Sequence, residues 1–208
     1  MTEPRYKRRK KDRPDEITAA AFEEFAKQGY AATRVEAVAK RAGVSKGLLY
    51  LYFKTKEELF KAVVRGVVVR RIDALIADVE STELPSEEFI RGPLLTFMKT
   101  IPGSPVAIVI RLLISEGQRH PDLVNFYYDN VVAKGLRAIE MFVRRGVERG
   151  EFRDGPVASL PHLFMAPMML AIIWRITFTE KTLDTDRLIE TQIDMLLAEL
   201  KVSRETTQ

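Results

Sequence analysis

Along most of this chain apolar residues recur every three or four positions, the period of a helix with one buried face. Ile17, Ala21, Phe22 and Phe25 form the inner face of a first helix, expected from about Pro14 to Gln28. Pro14 suits its first turn, where a missing N–H is no loss, Asp15 and Glu16 favour the positive end of its dipole, and Gly29 closes it. Val35, Val38, Ala39 and Ala42 fall at i, i+3, i+4 and i+7 on a second helix, and Leu49 and Phe53 share one face of a third. The fourth is long, with Leu59, Phe60, Val63, Val64, Val67, Ile72, Leu75, Ile76 and Val79 keeping the period to about residue 80. Breaks at Ser81–Ser86, Ile101–Pro105, His120–Pro121, Gly150–Pro156 and Thr182–Thr185 separate five further helical stretches. No strand-like alternation interrupts them, so the pattern predicts an all-α chain of about nine helices.

Turn chemistry sharpens the region from Thr33 to Phe60. Gly43 supplies the backbone freedom of a sharp helix-to-helix turn, and Ser45 can cap the helix that follows it. Thr33 with Glu36, and Thr55 with Glu58, have the spacing of capping boxes. Two short helices joined by a tight turn make a helix-turn-helix. On its second helix Lys46, Gly47, Leu48, Tyr50 and Leu51 point away from the Leu49–Phe53 face. That slim surface of small, basic and aromatic residues suits a DNA major groove.

Composition narrows the picture. The chain has 208 residues, 46% hydrophobic and 30% charged, enough for a full core, and no cysteine for a disulfide or thiolate chemistry. Its N-terminus is basic and polar without an apolar h-region, so no secretory signal is expected and the expected location is cytoplasmic. The longest apolar tract, Leu160 to Phe178, is broken by Pro161, His162, Pro167 and Arg175 and reads as a buried helix, not a membrane span. Residues 1–56 carry 14 Lys/Arg against 7 Asp/Glu, a net of +7, whereas the remainder has a net of −3. The basic excess therefore lies with the helix-turn-helix, which points to a polyanion partner there. Seven of the basic residues stand between Arg5 and Arg13, and residues 1–13 are expected to be a flexible arm, either a solvated solubilising tail or one touching phosphates or a minor groove.

The segment from Ile17 to Phe60 resembles the TetR family of bacterial transcriptional regulators, on ITAAAFEEFAKQGY, Thr33 and above all AGVSKGLLYLYFKTKEELF. The stretches RLLISEGQRHPDLVNFYYDNV and RRGVERGEFRDG are similar to the ligand domains of its AcrR-like members. The resemblance implies a three-helix DNA-binding domain over 14–60 and a helical ligand-binding and dimerisation domain over 61–208. It makes Ser45–Tyr52 the recognition helix, sets Thr33 and Arg34 against phosphates or nearby bases, and puts Lys46 and Gly47 at the groove. Tyr50 and Tyr52 would donate to phosphates, with Lys54 and Lys56 adding charge where the fourth helix begins. Leu48 and Leu51 depart from the family pattern; apolar side chains there can pack on thymine methyls but read no hydrogen bonds.

The resemblance further implies a homodimer on a palindromic double-stranded operator, its two recognition helices about 34–36 Å apart. The dimer surface is expected in the last two helices, on Leu188, Ile189, Ile193, Leu196, Leu197 and Leu200. An inducer pocket, taking a small apolar or amphipathic molecule, is expected among Phe97, Met98, Phe126, Tyr127, Met165, Met168, Met169 and Trp174, with Arg111, Glu116, His162 and Arg175 as orienting polar groups. The implied output is repression relieved by inducer, the long fourth helix acting as lever. Against an enzyme stand two histidines in separate segments and the absence of G-x-S-x-G, P-loop and H-E-x-x-H motifs. No His/Asp/Glu spacing suggests a metal, and no cofactor is expected. The alternative is a non-specific nucleic-acid binder driven by the basic N-terminal arm.

Overall fold

The computed structural model describes residues 5–202, with side chains from residue 13 onward. Nine helices account for the regular structure of these residues: α1 Arg5–Gln28, α2 Val35–Arg41, α3 Lys46–Tyr52, α4 over 56–81, α5 Ser86–Gly103, α6 Pro105–Glu116, α7 over 121–148, α8 His162–Thr177 and α9 Thr185–Leu200. One widened π turn lies in each of α4, α5 and α7, at Arg65–Val69, Ile90–Leu94 and Tyr128–Val132. The only extended pairing among the described residues is one isolated bridge between Phe152 and Lys201. No single helix among them is long and apolar enough to cross a membrane.

The first helix begins earlier than its sequence pattern indicated. Arg5 to Arg13 continues the backbone of α1, placing Pro14 inside the helix. Lys and Arg are good helix formers, and this block contains no glycine to stop the run. The carbonyl of Pro14 accepts from Thr18 Oγ1 at 2.7 Å. Of the stretch expected as an arm, residues 1–4 lie outside the described residues.

Compactness divides the chain into two units. The first holds residues up to Arg70 together with Ile108–Tyr128, and the second holds Arg71–Ala107 with Asp129 onward. Most of α6 and the start of α7 thus stand with the N-terminal helices in the first unit, and their contacts explain why. The His120 ring packs edge-on against Tyr30 at 4.8 Å, Phe126 lies beside Lys61 and Arg65, and Arg111 donates to the Ala26 carbonyl at 2.7 Å.

In the first unit Phe25, Tyr30 and Phe60 meet with ring centroids 5.3–5.5 Å apart, and Ile17, Ala21, Val38, Leu49, Leu59 and Val63 are buried with them in the same unit. This is the core that the periodicity of α1, α2 and α4 predicted. The second unit centres on Phe89 against Phe142 at 4.7 Å, with Ile90, Phe164, Ala171, Ile172, Ile189, Ile193 and Leu197 all buried. Helix α9 packs on α8 and α5. Ion pairs from Arg91 to Asp194 (2.6 Å) and from Lys99 to Glu190 fasten its outer edge to α5.

Candidate nucleic-acid interface

Helix α2 ends in a turn that only glycine takes without strain. Gly43 has φ +65°, its N–H reaches the Lys40 carbonyl at 3.2 Å, and the Val44 N–H reaches the Ala39 carbonyl at 3.0 Å. This pair of bonds satisfies the last carbonyls of α2 and reverses the chain. Ser45 then caps α3, its Oγ accepting from the Leu48 N–H at 3.1 Å. Thr55 caps α4 by accepting from the Glu58 N–H at 3.0 Å, while Glu58 reaches back to the Lys54 N–H at 2.6 Å. The Ser45 and Thr55 caps follow the sequence expectation, while the return bond of Glu58 goes to the Lys54 N–H and not to that of the Thr55 cap.

Helix α3 is thereby held by its ends and by one buried side chain, Leu49 at 1% exposure. Everything else on it faces outward or sideways. Ser45, Lys46, Gly47 and Leu51 are exposed, and Leu48, Tyr50 and Tyr52 are half-buried. Leu51 is 67% exposed, a large apolar side chain offered to solvent. Gly47 is informative because nothing inside the chain requires it: its φ is not positive and a Cβ there would meet no atom within 4 Å. A glycine inside a helix is less stable than alanine, and at Gly47 it leaves the backbone of α3 open at the surface. Arg34 and Lys54 are exposed at the flanks of the same surface.

Electrostatics ties this surface together. Lys46 pairs with Glu36 of α2, and its ammonium lies 5.9 Å from the centre of the Tyr50 ring. The pair holds Lys46 above the ordinary lysine range and Glu36 below the ordinary carboxylate range. Behind it, Arg41 donates to the buried Glu24 of α1 at 2.6 Å, which with Gln28 holds that carboxyl low.

Two residues expected at the DNA face are turned inward. Thr33 is 3% exposed, and its hydroxyl donates to the carbonyls of Gly29 (2.6 Å) and Glu24 (3.2 Å) at the end of α1. It does not cap α2, whose N-cap is Arg34 without a side-chain bond, so Glu36 is left to pair with Lys46 and the expected capping box does not form. Lys56 directs its ammonium to the carbonyls of Tyr30, Ala31 and Thr33 at 2.9, 3.0 and 3.2 Å, over the Tyr30 ring at 4.6 Å. All three of its N–H groups are used there, and burial pushes its pKa down, opposed by the charge of Glu116. Both side chains brace the α1–α2 turn instead of offering a phosphate contact. Nothing in the sequence distinguishes an inward from an outward lysine at this spacing.

The residues expected around an inducer are divided between the units. Arg111, Glu116, Phe126 and Tyr127 belong to the first. Arg111 caps the end of α1 as described, one carboxylate oxygen of Glu116 is buried without a hydrogen-bond partner among the described residues, and burial pushes the Tyr127 phenol well up. The other eight belong to the second unit. Met98 and Met168 are core, Met165 and Met169 are half-buried, and His162 and Arg175 are exposed on α8. Trp174 donates its indole N–H to the Lys181 carbonyl at 3.1 Å and packs on Phe178, closing the end of α8. Phe97 alone of the twelve lines the second unit's open cleft of about 340 Å³, together with Arg71, Ala74, Leu75, Asp78, Pro93, Thr100 and Ile101.

The residues expected at a dimer surface need correcting. Ile189, Ile193, Leu196, Leu197 and Leu200 are at most 5% exposed within the single chain, because that side of α9 packs on α8 and α5; only Leu188 is half-buried. The open apolar stripe lies on the other side. On α8 the exposed apolar residues are Ala166, Leu170 and Ile173, flanked by His162 and Thr177, and on α9 Met195 and Ala198 are exposed among Arg187, Glu190, Asp194 and Glu199. A helix apolar all round has two faces to bury, and that composition was the signal in α8.

Comparison with known proteins now decides the family. Residues 17–63 match the profile of bacterial regulatory proteins of the tetR family, and residues 90–196 match the tetracyclin repressor-like C-terminal domain. The chain belongs to the TetR family. It is 30% identical over 158 residues to the HTH-type transcriptional repressor KstR2 of Mycobacterium tuberculosis, covering 74% of this chain and 76% of that protein. With the fatty acid metabolism regulator protein of Bacillus subtilis it shares 28% identity over 141 residues, 67% of this chain and 71% of that one. The crystal structure of FadR from Bacillus subtilis in complex with stearoyl-CoA has a TM-score of 0.66 at 21% identity, over 89% of this chain and 98% of that chain. This TetR-family chain is thus a DNA-binding transcriptional regulator with a helix-turn-helix in α2–α3.

Proposed function

We propose that the chain is a ligand-responsive repressor that binds a palindromic operator as a homodimer and leaves it when an amphipathic inducer binds. The observation that carries the DNA-reading part is α3 itself: one buried leucine, two capped ends, and an outward face of Lys46, Gly47, Leu48, Tyr50 and Leu51 with a glycine that no internal contact requires. Arg34, Ser45, Tyr52 and Lys54 are the phosphate-contacting flank, and the basic block in residues 1–13 adds backbone contacts. The dimer forms through the open stripe on α8 and α9, where Leu170, Ile173 and Met195 are 42–63% exposed. Two such helix pairs form a four-helix contact that buries Leu170, Ile173 and Met195.

The inducer reading rests on the relatives and on the cleft. One relative regulates fatty acid metabolism, and a solved relative of the same fold holds stearoyl-CoA. The cleft of the second unit combines an apolar floor of Leu75, Pro93, Phe97 and Ile101 with Arg71, Asp78 and Thr100, which suits a molecule with an apolar chain and a charged head. Inducer and operator then bind preferentially to different dimer conformations, with a coupling of about 1–3 kcal/mol. The test is a titration of stearoyl-CoA, and of coenzyme A alone, into the chain bound to an operator duplex recovered by selection. Release by the acyl thioester, but not by coenzyme A, is expected. An acyl-CoA that binds tightly yet leaves operator affinity unchanged overturns the switch.

A further inference from the structure

One charge on the α2–α3 face has the wrong sign for a surface that meets phosphates. Glu36 stands in the first turn of α2 and pairs with Lys46 at the start of α3, the two side chains 56% and 55% exposed. Exposed pairs of this kind contribute little to folding. The packing of α2 on α1 and α3 is already fixed by the Glu24–Arg41 bridge, the Gly43 turn and the buried Val38 and Leu49. The pair therefore has little structural work to do, and its position at the N-terminal end of the recognition helix points to binding.

A free lysine there is a mobile point charge that any phosphate can take. With Glu36 beside it, a phosphate must break the pair and leave a carboxylate facing the duplex. The floor of the major groove offers a different exchange. Guanine O6 and N7 accept from an ammonium, while the amino groups of cytosine and adenine donate to a carboxylate. A site presenting both satisfies both members of the pair, and an arbitrary sequence does not. We propose that Glu36 is a specificity-determining residue of the DNA face, withholding Lys46 from phosphates on arbitrary sequence and favouring a site that sets a guanine edge beside a base amino group. The inference rests on α2–α3 meeting DNA as proposed above.

The test measures binding of the native chain, Glu36→Gln, Glu36→Asp, Lys46→Ala and the Glu36→Gln/Lys46→Ala double variant to the selected motif and to a scrambled duplex, over a range of salt. One additional phosphate contact steepens the slope of log K against log salt by about 0.9, equivalent to about fivefold tighter binding at 0.15 M salt. Glu36→Gln is expected to bind the scrambled duplex tighter by that factor per protomer, with that steeper slope. Its affinity for the motif should change less, so its specificity ratio falls. Glu36→Asp should keep the native slope, and the double variant should lose the gain. Thermal unfolding of Glu36→Gln should match the native chain, separating this role from a structural one. If Glu36→Gln leaves scrambled binding and slope unchanged, or tightens both duplexes equally, while Lys46→Ala weakens binding, the role of Glu36 is overturned and the DNA face stands. If Lys46→Ala also changes neither duplex, the DNA face itself is wrong.

Discussion

The α2–α3 pair and the α8–α9 pair are both two packed helices, and they expose opposite chemistry. Helix α3 buries Leu49 and turns lysine, glycine, tyrosine and one leucine outward. Helix α9 buries five aliphatic residues and exposes Met195 and Ala198, and α8 exposes Leu170 and Ile173. In the first pair polarity separates the buried side from the binding side. In the second, α8 is apolar on both sides, while α9 exposes Met195 and Ala198 among Arg187, Glu190, Asp194 and Glu199. A short helix held by caps and one anchor leaves its outer face free for a ligand with a hydrogen-bonding pattern. A longer helix apolar all round, such as α8, satisfies one side internally and leaves the other for a partner.

That contrast is most severely tested by charging the open stripe. Ile173→Glu combined with Met195→Glu should halve the mass seen in sedimentation and abolish operator binding while helicity is retained, because a lone half-site contact loses the second recognition helix. If the double variant stays dimeric, the stripe is not the interface. Next in size is the other side of α9. Ile193→Ala opens a cavity in a 1%-exposed position and should lower unfolding stability by about 2–5 kcal/mol, read by denaturant titration. A loss below about 0.5 kcal/mol, the size typical of surface changes, would show that this face is not core.

Two smaller effects sharpen the account of the DNA-binding unit. Arg41 holds the Glu24 carboxyl below its ordinary range, so the bridge contributes stability above the unfolded carboxylate range and loses it as pH falls through the folded pKa. Glu24→Gln should cost about 1–2 kcal/mol near neutral pH and flatten the acid limb of stability, an acid limb identical to that of the native chain being the contrary result. Gly47→Ala is the smallest change and carries opposite signs. It should stabilise the fold by about 0.5–1 kcal/mol while weakening operator binding. Equal or tighter operator binding would mean that no partner approaches the backbone there.

Legibility in the sequence followed the same division. Gly43, Ser45, Thr55 and the Leu49 anchor were readable because each has a local backbone task fixed by spacing. Thr33 and Lys56 were not, since a hydroxyl or an ammonium near a turn can donate inward to carbonyls or outward to a phosphate. The periodicity of α9 located its apolar residues but could not say that Ile193 and Leu197 face α8 and α5 of their own chain. Attachment of His120 and Phe126 to the first unit depends on contacts far apart in sequence, which no local pattern records.

On the proposed function, the outward face of α3 reads a two-fold symmetric site. Selection from a random duplex library at fixed near-physiological salt, with the native chain and with a Lys46→Ala/Tyr50→Ala variant, tests it most directly. A palindromic motif is expected, its half-site centres about 34–36 Å apart or a multiple of that helical turn, and it should be lost in the variant. Recovery of no motif, or of the same motif with equal affinity by the variant, would contradict it.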